Sequence, residues 1–324
     1  MTVSSVTHPK TLRTAVIGVG YLGRFHAQKY RALPGSQLVA VVDAHEATAR
    51  KVGEELGVPG ITDHRELLDR VDAVSIAVPT PLHHAVASDF LSRGVHVLVE
   101  KPITVTAAEA TSLIELAKQH RCVLQVGHLE RFNPAIVAAA KTLTRPRFVE
   151  SHRLAPFKQR GTDVSVVLDL MIHDIDLIQE LVNAPIASID AVGASVFSNE
   201  LDIVNARIRF ADGCVANTTA SRVSLKQERK LRIFQDDAYL SIDLQQKILT
   251  VVRKQDQPPP DALAPVSIQE QTFEQSDALN EEIIAFLAAI RDGTPPVVSG
   301  EDGLRALETA IQISTLVNNG SAAR

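Results

Sequence analysis

The chain of 324 residues has no tryptophan, two cysteines and an aromatic content of only 4%. So few aromatic residues supply little material for the stacking platforms that bind single-stranded nucleic acid. Cys122 and Cys214 cannot form a disulfide framework, and such a low cysteine count is typical of proteins from a reducing compartment. These shortages exclude the class of small, disulfide-stabilised secreted domains.

A strong charge of one sign and long hydrophobic runs are also missing. Lys and Arg number 33 against 38 Asp and Glu, for a formal net charge of -5, so no overall basic field favours nucleic acid as a partner. No stretch approaches the roughly 18 apolar residues of a membrane span, and the first residues lack the apolar core of a signal peptide. We therefore expect a cytoplasmic protein without a nucleic-acid or membrane partner.

The patterns along the chain predict two domains. In the first, short Val- and Ile-rich strands alternate with helices, as in βαβ units whose parallel sheet is covered on both faces. In the second, strands follow one another through short turns such as ADGC at 211–214, which predicts an antiparallel or mixed sheet. We predict an α/β Rossmann domain over 1–127 and an α+β domain with a large open sheet over 128–324, whose last helix packs back on the first domain.

The element boundaries follow from the apolar runs and the turn residues. Predicted strands cover 14–20, 37–43, 73–78, 96–100, 122–127, 146–154, 186–197, 202–210, 214–223, 229–235, 238–242, 247–253 and 266–273. Predicted helices cover 22–33, 46–57, 64–69, 81–93, 106–120, 133–142, 166–182, 276–291 and 300–318.

A glycine-rich turn follows the first predicted strand. AVIGVGYLGRFHA places Gly18, Gly20 and Gly23 in GxGxxG spacing at the start of a helix. The first glycine permits the tight turn, the second permits close approach of a pyrophosphate, and the third lets the helix pack on the strand. The amides of Tyr21 and Leu22, at the helix N-terminus, would face the phosphate charge. A tight strand–helix turn without a ligand is the alternative interpretation.

Asp43, at the end of the next predicted strand, bears on which dinucleotide binds. Its carboxylate would accept hydrogen bonds from the adenosine ribose hydroxyls and would repel a 2′-phosphate. This position predicts NAD rather than NADP, unless His45 or Arg50 offsets the charge.

Polar residues also stand at the ends of two later strands. AVPTPLHHAVA (77–87) and HVLVEKPIT (96–104) each leave a buried strand, at the edge where parallel sheets bind their ligands. Glu100 and Lys101 are therefore expected to point toward a cofactor crevice. Pro102 restricts the backbone of the residue before it and would fix the direction of the lysine.

VLDLMIHDIDLI (167–178) has the apolar pattern of a buried helix, yet it carries three aspartates and a histidine. Burying these groups costs several kcal/mol unless each has a partner. Asp169 and His173 are one helical turn apart and share a face. Asp174 and Asp176 are interpreted as structural groups, as caps or as partners of nearby arginines.

Together these motifs resemble those of the Gfo/Idh/MocA family of sugar and cyclitol oxidoreductases, over nearly the whole chain. The resemblance rests on GVGYLG, Thr80 with His83, EKP at 100–102, Asp169 with His173, and SGEDGLRALETA at 299–310. It implies a Rossmann domain that binds NAD, and an α+β domain that supports the substrate site and often a dimer interface, so we expect a homo-oligomer. It also implies cofactor contacts from Thr80, His83, Glu100 and Lys101.

The family pattern implies a catalytic centre at which Lys101, Asp169 and His173 meet beside the nicotinamide. Oxidising a secondary alcohol needs a base for the hydroxyl proton, and we assign this role to His173. Lys101 would stabilise the developing alkoxide, while Asp169 would orient the pair or bind a sugar hydroxyl. The reverse assignment stays open, with Lys101 as the base and His173 holding the substrate.

Within the family, VGHLERFNPA (126–135) and DLMIHDIDLI (169–178) are most similar to bacterial enzymes that oxidise the C3 hydroxyl of UDP-N-acetylglucosamine. This similarity implies a 3-keto nucleotide sugar, a separate aminotransferase that consumes it, and a place in 3-amino sugar synthesis for lipid A or a surface polysaccharide. The lead-in GTDVSVVLD (161–169) departs from the glycine-rich lead-in of many members. The departure weakens transfer from the inositol and glucose enzymes.

The substrate contacts are predicted at His128, Arg131 and Arg160. A guanidinium suits a diphosphate through its planar fork, although an ion pair of Arg131 and a solvated loop around Arg160 are equally consistent with the sequence. No metal is predicted, because HExxH and CxxC spacings are absent; a site built from His83, His84 and His128 is the alternative.

Two other functions stay open on the sequence alone. One is a dehydrogenase for another sugar, sugar acid or inositol. The other is a regulator that binds the dinucleotide without turnover, although such a protein has no use for the complete set of Lys101, Asp169 and His173.

Overall fold

The Val- and Ile-rich segments near the start of the chain form a six-stranded parallel sheet. The computed structural model describes residues 11–158, 164–255, 265–273 and 276–322. The strands of this sheet are β1 (Leu12–Ile17), β2 (Ser36–Val42), β3 (Gly60–Ile61), β4 (Ala73–Ile76), β5 (His96–Glu100) and β6 (Leu124–Gly127). Their order is β3-β2-β1-β4-β5-β6, and every pair is parallel. The order reverses between β1 and β4, the position at which doubly wound sheets bind their ligands.

Four helices connect these strands: α1 (Tyr21–Ala32), α2 (Glu46–Leu56), α3 (His83–Leu91) and α4 (Ala107–His120). A capping box starts α4, where the Thr106 side chain accepts from the Glu109 amide and the Glu109 side chain accepts from the Thr106 amide. The predicted helix at 64–69 is wrong in type, since His64–Leu67 is a single 3-10 turn capped by Asp63. The two-residue strand β3 was not predicted, because so short a segment shows no periodicity.

The second half of the chain forms an eight-stranded mixed sheet. Its strands are β7 (Pro146–Leu154), β8 (Ile186–Ala194), β9 (Ile203–Phe210), β10 (Val215–Ser221), β11 (Glu228–Gln235), β12 (Ala238–Asp243), β13 (Ile248–Lys254) and β14 (Val266–Thr272). The order is β14-β13-β12-β11-β7-β10-β9-β8, with β7 and β10 parallel and the other pairs antiparallel. The predicted fold class, a parallel Rossmann sheet followed by an open mixed sheet, is confirmed.

Alternate residues of the central strands β9 to β12 are buried, in a core shared with helices. The remaining helices are α5 (Pro134–Ala140), α6 (Ile172–Val182), α7 (Ala278–Asp292) and α8 (Gly300–Ala322). Ile175 and Ile178 of α6 share one apolar core with Val204 and Ile208 of β9 and with Ile313 of α8. In the part of the chain that the structure describes, no helix is long and apolar enough to cross a membrane.

The helix that carries the DxxxH pattern does not begin regularly. Val167–Met171 is a π-helical turn, closed by a hydrogen bond from the Ile172 amide to the Val167 carbonyl oxygen, and α6 continues from Ile172. Wide turns of this kind are rare and occur often at functional sites. The spacing of apolar residues predicted a helix here but not its irregular first turn.

The chain divides into two compact units. The first runs to His128 and takes in Leu279–Leu304, while the second comprises Leu129–Ala278 and the chain from Arg305 onward. This division differs from the single piece 128–324 drawn from the sequence, because α7 belongs to the first unit. The reason is apolar packing, because Ile283 and Phe286 of α7 belong to the hydrophobic core that contains Val16, Tyr30 and Leu98.

Candidate active site

The glycine-rich turn has the conformation that its spacing predicts. Gly18 has φ +84°, and a Cβ there would lie 2.7 Å from the amide nitrogen of Val78. A Cβ on Gly23 would lie 1.8 Å from the Gly18 carbonyl oxygen, so only glycine permits this close packing of α1. A Cβ on Gly20 would meet no atom within 4 Å, which leaves that face of the turn open. Gly20 also precedes Tyr21 as an N-cap without a capping side chain, at the kind of helix N-terminus that binds phosphate.

Asp43 is fixed by backbone amides in the loop after β2. Its two carboxylate oxygens accept from the amides of Val19, at 3.1 Å, and His45, at 3.0 Å. The first bond ties Asp43 to the glycine-rich turn. Each oxygen keeps acceptor capacity, so the carboxylate can accept a further hydrogen bond.

Glu100 ends β5, and two hydrogen bonds hold its carboxylate. Oε1 lies 3.1 Å from Nε2 of His26, and Oε2 accepts from the Lys101 amide at 3.3 Å. A Cβ on Gly127, its partner residue on β6, would lie 3.0 Å from this carboxylate. Burial raises the pKa of Glu100, but the hydrogen bond from His26 and the charges of His26 and Lys101 outweigh it and lower the pKa below its usual range. Glu100 is therefore ionised beside Lys101.

His83 holds the EKP segment by its backbone. Its ring nitrogens lie 2.9 Å from the carbonyl oxygens of Pro102 and Val78, and its side chain is buried. Burial lowers its pKa despite these two carbonyl groups, which favour the protonated form. His83 thus connects β4 to the cis Lys101–Pro102 peptide. His83 therefore positions the EKP segment. Thr80 is half-buried and lies in the 3-10 turn just before His83.

Two predicted catalytic residues lie on the second unit. Asp169 is in the π-helical turn and His173 in the first turn of α6, and both side chains are half-buried. Lys101, also half-buried, lies on the first unit. The meeting of these three groups stays a prediction.

Arg131 is engaged in a buried ion pair. Its guanidinium makes a two-bond contact with Asp176, at 2.7 and 2.8 Å, and a third contact with Glu180 at 2.8 Å. Its side chain is 4% exposed. Of the two uses that the sequence left open, the structure shows the ion pair, with acidic residues of α6.

Arg153 and Asp174 form a second buried pair. Their two hydrogen bonds measure 2.9 and 3.0 Å, and Glu130 adds a third at 3.0 Å. Burial opposes the charge of Arg153, but the charges of Asp174 and Glu130 outweigh it and raise its pKa. The interpretation of Asp174 and Asp176 as partners of arginines is confirmed. His128, the residue after β6, is 1% exposed, and Arg160 lies outside the described residues.

One cluster near Glu100 was not predicted. The cluster consists of His26 of α1, Glu100 and Glu282 of α7, which each bring one potential metal-ligand atom within 4.8 Å of the others. Among the described residues, this is the group whose side chains could together hold a metal ion. His83, His84 and His128 are not part of it. A signal existed in the sequence, since Glu282 occupies an apolar position in NEEIIAF, but a single acidic residue in a helix pattern did not single it out.

Comparisons with known proteins agree with this geometry. Residues 12–128 match the model of an oxidoreductase family with an NAD-binding Rossmann fold, and residues 137–241 match the GFO/IDH/MocA C-terminal domain. The chain is 40% identical over 307 residues to UDP-N-acetylglucosamine 3-dehydrogenase from Acidithiobacillus ferrooxidans, covering 94% of this chain and 97% of that protein. A solved structure of that enzyme superimposes with a TM-score of 0.88.

More distant relatives act on other polyols. A scyllo-inositol 2-dehydrogenase (NAD(+)) from Bacillus subtilis is 26% identical, with 95% of each chain covered. A levoglucosan dehydrogenase, solved with NADH and levoglucosan, shares the fold with a TM-score of 0.85 at 20% identity, covering 95% of this chain and 97% of that one.

Proposed function

Because the chain belongs to the Gfo/Idh/MocA family of NAD-binding oxidoreductases, we propose that it oxidises the C3 hydroxyl of UDP-N-acetylglucosamine to a 3-keto nucleotide sugar. The observation that carries this proposal is the 40% identity to an enzyme of that activity over 94% of the chain. The inositol dehydrogenase at 26% identity supports a polyol substrate in general and is the weaker guide.

The first unit suits NAD at two places. The open face at Gly20 leaves room for a pyrophosphate to approach the backbone. Asp43, oriented by two amides, would bind the ribose hydroxyls and disfavour a 2′-phosphate. When bound, NAD accepts the hydride that leaves the sugar carbon.

The side chains then have the task of moving a proton and stabilising charge. We assign His173 as the base that takes the C3 hydroxyl proton. The ammonium group of Lys101 stabilises the alkoxide that develops on the same oxygen, with ionised Glu100 beside it as counter-charge. Asp169, four residues before His173, orients the imidazole or binds a neighbouring sugar hydroxyl.

The ion pairs of Arg131 change the predicted contacts to the nucleotide part of the substrate. Arg131 already bonds Asp176 and Glu180, so we propose that it supports α6 rather than the diphosphate. Arg160 remains the candidate for that contact, and His128 the candidate near the sugar.

The product's chemistry sets the next step. A 3-keto sugar is a substrate for transamination, so a separate aminotransferase would consume it to make a 3-amino sugar for lipid A or a surface polysaccharide. A homo-oligomer, built on the open sheet of the second unit, completes the proposal.

A substrate panel tests the proposal. Purified protein with NAD is offered UDP-N-acetylglucosamine, free N-acetylglucosamine, other UDP-sugars, myo-inositol and scyllo-inositol, and NADH is followed by absorbance. We expect NADH formation with UDP-N-acetylglucosamine and a 3-keto product by mass spectrometry. Turnover of inositol without turnover of any UDP-sugar would contradict the substrate assignment, and NAD binding without turnover of any compound would favour the regulator.

A further inference from the structure

Glu282 is an acidic residue buried in the apolar side of α7. It is 0% exposed, and neither carboxyl oxygen has a hydrogen-bond partner among the described residues. Its neighbours Ile283 and Phe286 belong to the core of the first unit. A carboxylate in such a place would carry a desolvation cost of several kcal/mol, so an ionised, unpaired Glu282 is not a stable state.

The negative charge of Glu100 makes the ionisation of Glu282 harder still. Glu100 and His26 lie with Glu282 in a cluster whose ligand atoms are all within 4.8 Å of one another. Burial, and then the charge of Glu100, raise the pKa of Glu282 well above its ordinary range. Two carboxyl groups this close titrate as a pair and hold one proton between them over a wide pH range.

The groups around the pair do not replace that proton. Tyr30 and His26 face it from α1, Lys101 follows Glu100, and Gln125 of β6 donates from Nε2 to the Glu282 carbonyl oxygen at 3.1 Å. Burial raises the pKa of Tyr30 and keeps it neutral. Oε1 of Gln125 is also buried without a hydrogen-bond partner among the described residues.

We propose that the pair of Glu282 and Glu100 holds a single proton, carried by Glu282 while Glu100 is ionised, and that Glu282 thereby acts as a positioning residue for Lys101. This rests on the proposed function only in that Lys101 serves the reaction. With one proton, the pair presents one negative charge, held by His26 and by the Lys101 amide. Loss of the proton adds a second charge next to Glu100 and drives its carboxylate away from the backbone that orients Lys101.

A divalent cation is the other occupant of such a cluster, and the contacts favour the proton. His26 Nε2 is already bonded to Glu100 at 3.1 Å, and an ionised carboxylate can only accept, so that nitrogen carries a hydrogen and offers no lone pair to a metal. A proton satisfies the pair without breaking this bond.

Infrared spectroscopy tests the shared proton without any substrate. Difference spectra are recorded for the wild type against Glu282→Gln at about pH 7, with Glu281→Gln as the control, since Glu281 is the exposed neighbour on the same helix. We expect a protonated-carboxyl C=O band in the wild type and in the control that is missing from Glu282→Gln. In the wild type alone, this band should fade reversibly when the pH is made alkaline, and this measurement requires no variant. Absence of the band would overturn the proposal, as would a stoichiometric metal ion lost in Glu282→Gln.

The pH dependence of thermal unfolding gives an independent check. Folded Glu282 keeps a proton that the unfolded chain releases above about pH 4.3, so its contribution to stability is complete below that pH and declines as the pH rises toward the folded pKa. Glu282→Gln carries no such loss. Its unfolding midpoint should gain on the wild type as the pH rises above about 4.3, and a difference that does not change with pH would overturn the proposal.

The positioning role is read from activity profiles. Glu282→Gln should keep kcat/KM within about threefold of the wild type at pH 7, and should lose less activity than the wild type on the alkaline side. If the pH profiles of kcat/KM for the wild type and Glu282→Gln superimpose, Glu282 does not position Lys101. The infrared result then decides alone whether the pair holds a proton. A wild type that turns over no substrate, but shows the infrared band, would refute the proposed function alone.

Discussion

At the scale of single residues, charge and the groups that fix it decide what each side chain can do. Asp43 is held by two backbone amides, and we propose that it binds the ribose. Arg131, which the sequence also predicted as a ligand contact, instead forms ion pairs with two acidic residues inside its own unit. Both side chains carry a charged group that suits a ligand, and their different local partners are the reason why we propose a binding role for Asp43 and a structural role for Arg131.

Asp43→Asn should lower the preference for NAD over NADP. The substitution removes the charge that disfavours a 2′-phosphate and weakens a charge-assisted hydrogen bond worth about 1.5–3 kcal/mol, so the ratio of kcat/KM for the two cofactors should fall by about tenfold or more. Initial rates with each cofactor measure it. An unchanged ratio would show that Asp43 does not contact the ribose.

Arg131→Ala should destabilise the second unit. Removing one partner of a buried ion pair leaves its carboxylates unpaired and costs about 3–5 kcal/mol, measured by urea denaturation. The control is Arg147→Ala, whose pair with Asp236 is 49% and 71% exposed and is worth about 0–1 kcal/mol. Equal losses in the two variants would contradict the structural role of Arg131.

At the scale of elements, the strands and helices were predictable wherever periodicity ran long enough. Each strand of the second sheet was predicted because turn residues separate apolar runs, and α4 was predicted from its helical pattern. The π-helical turn at Val167–Met171 and the placement of α7 in the first unit were not. Both depend on tertiary contacts. Glu282 was not predicted as a functional residue for the same reason, because only the folded chain brings it near Glu100.

The placement of α7 predicts a matched pair of substitutions. Phe286→Ala empties a fully buried site and should cost about 3–5 kcal/mol, whereas Ile284→Ala, on the same helix and 40% exposed, should cost far less. Because α7 packs in the core of the first unit, Phe286→Ala should also lower the unfolding midpoint measured in the presence of NAD. Similar midpoints for both variants would show that α7 is not part of that core.

At the scale of the whole molecule, the proposed reaction needs groups from both units. Glu100 and the glycine-rich turn share the first unit with Lys101, while Asp169 and His173 belong to the second. The sequence could name these residues because their motifs are local, but spacing along a chain cannot say where two units bring their side chains. The proposed reaction therefore requires that Lys101 and His173 act on one hydroxyl group.

A double-mutant cycle on turnover tests this most directly. Lys101→Ala and His173→Ala are each compared with the wild type and with the double variant, using UDP-N-acetylglucosamine and NAD, with NAD affinity measured separately by fluorescence. Groups that act as a unit show strongly non-additive losses. We predict that each single variant loses about 10³-fold or more in kcat, that NAD affinity stays within about threefold, and that the double variant loses little beyond the worse single variant. Losses that multiply, or a single variant as active as the wild type, would contradict a shared catalytic centre.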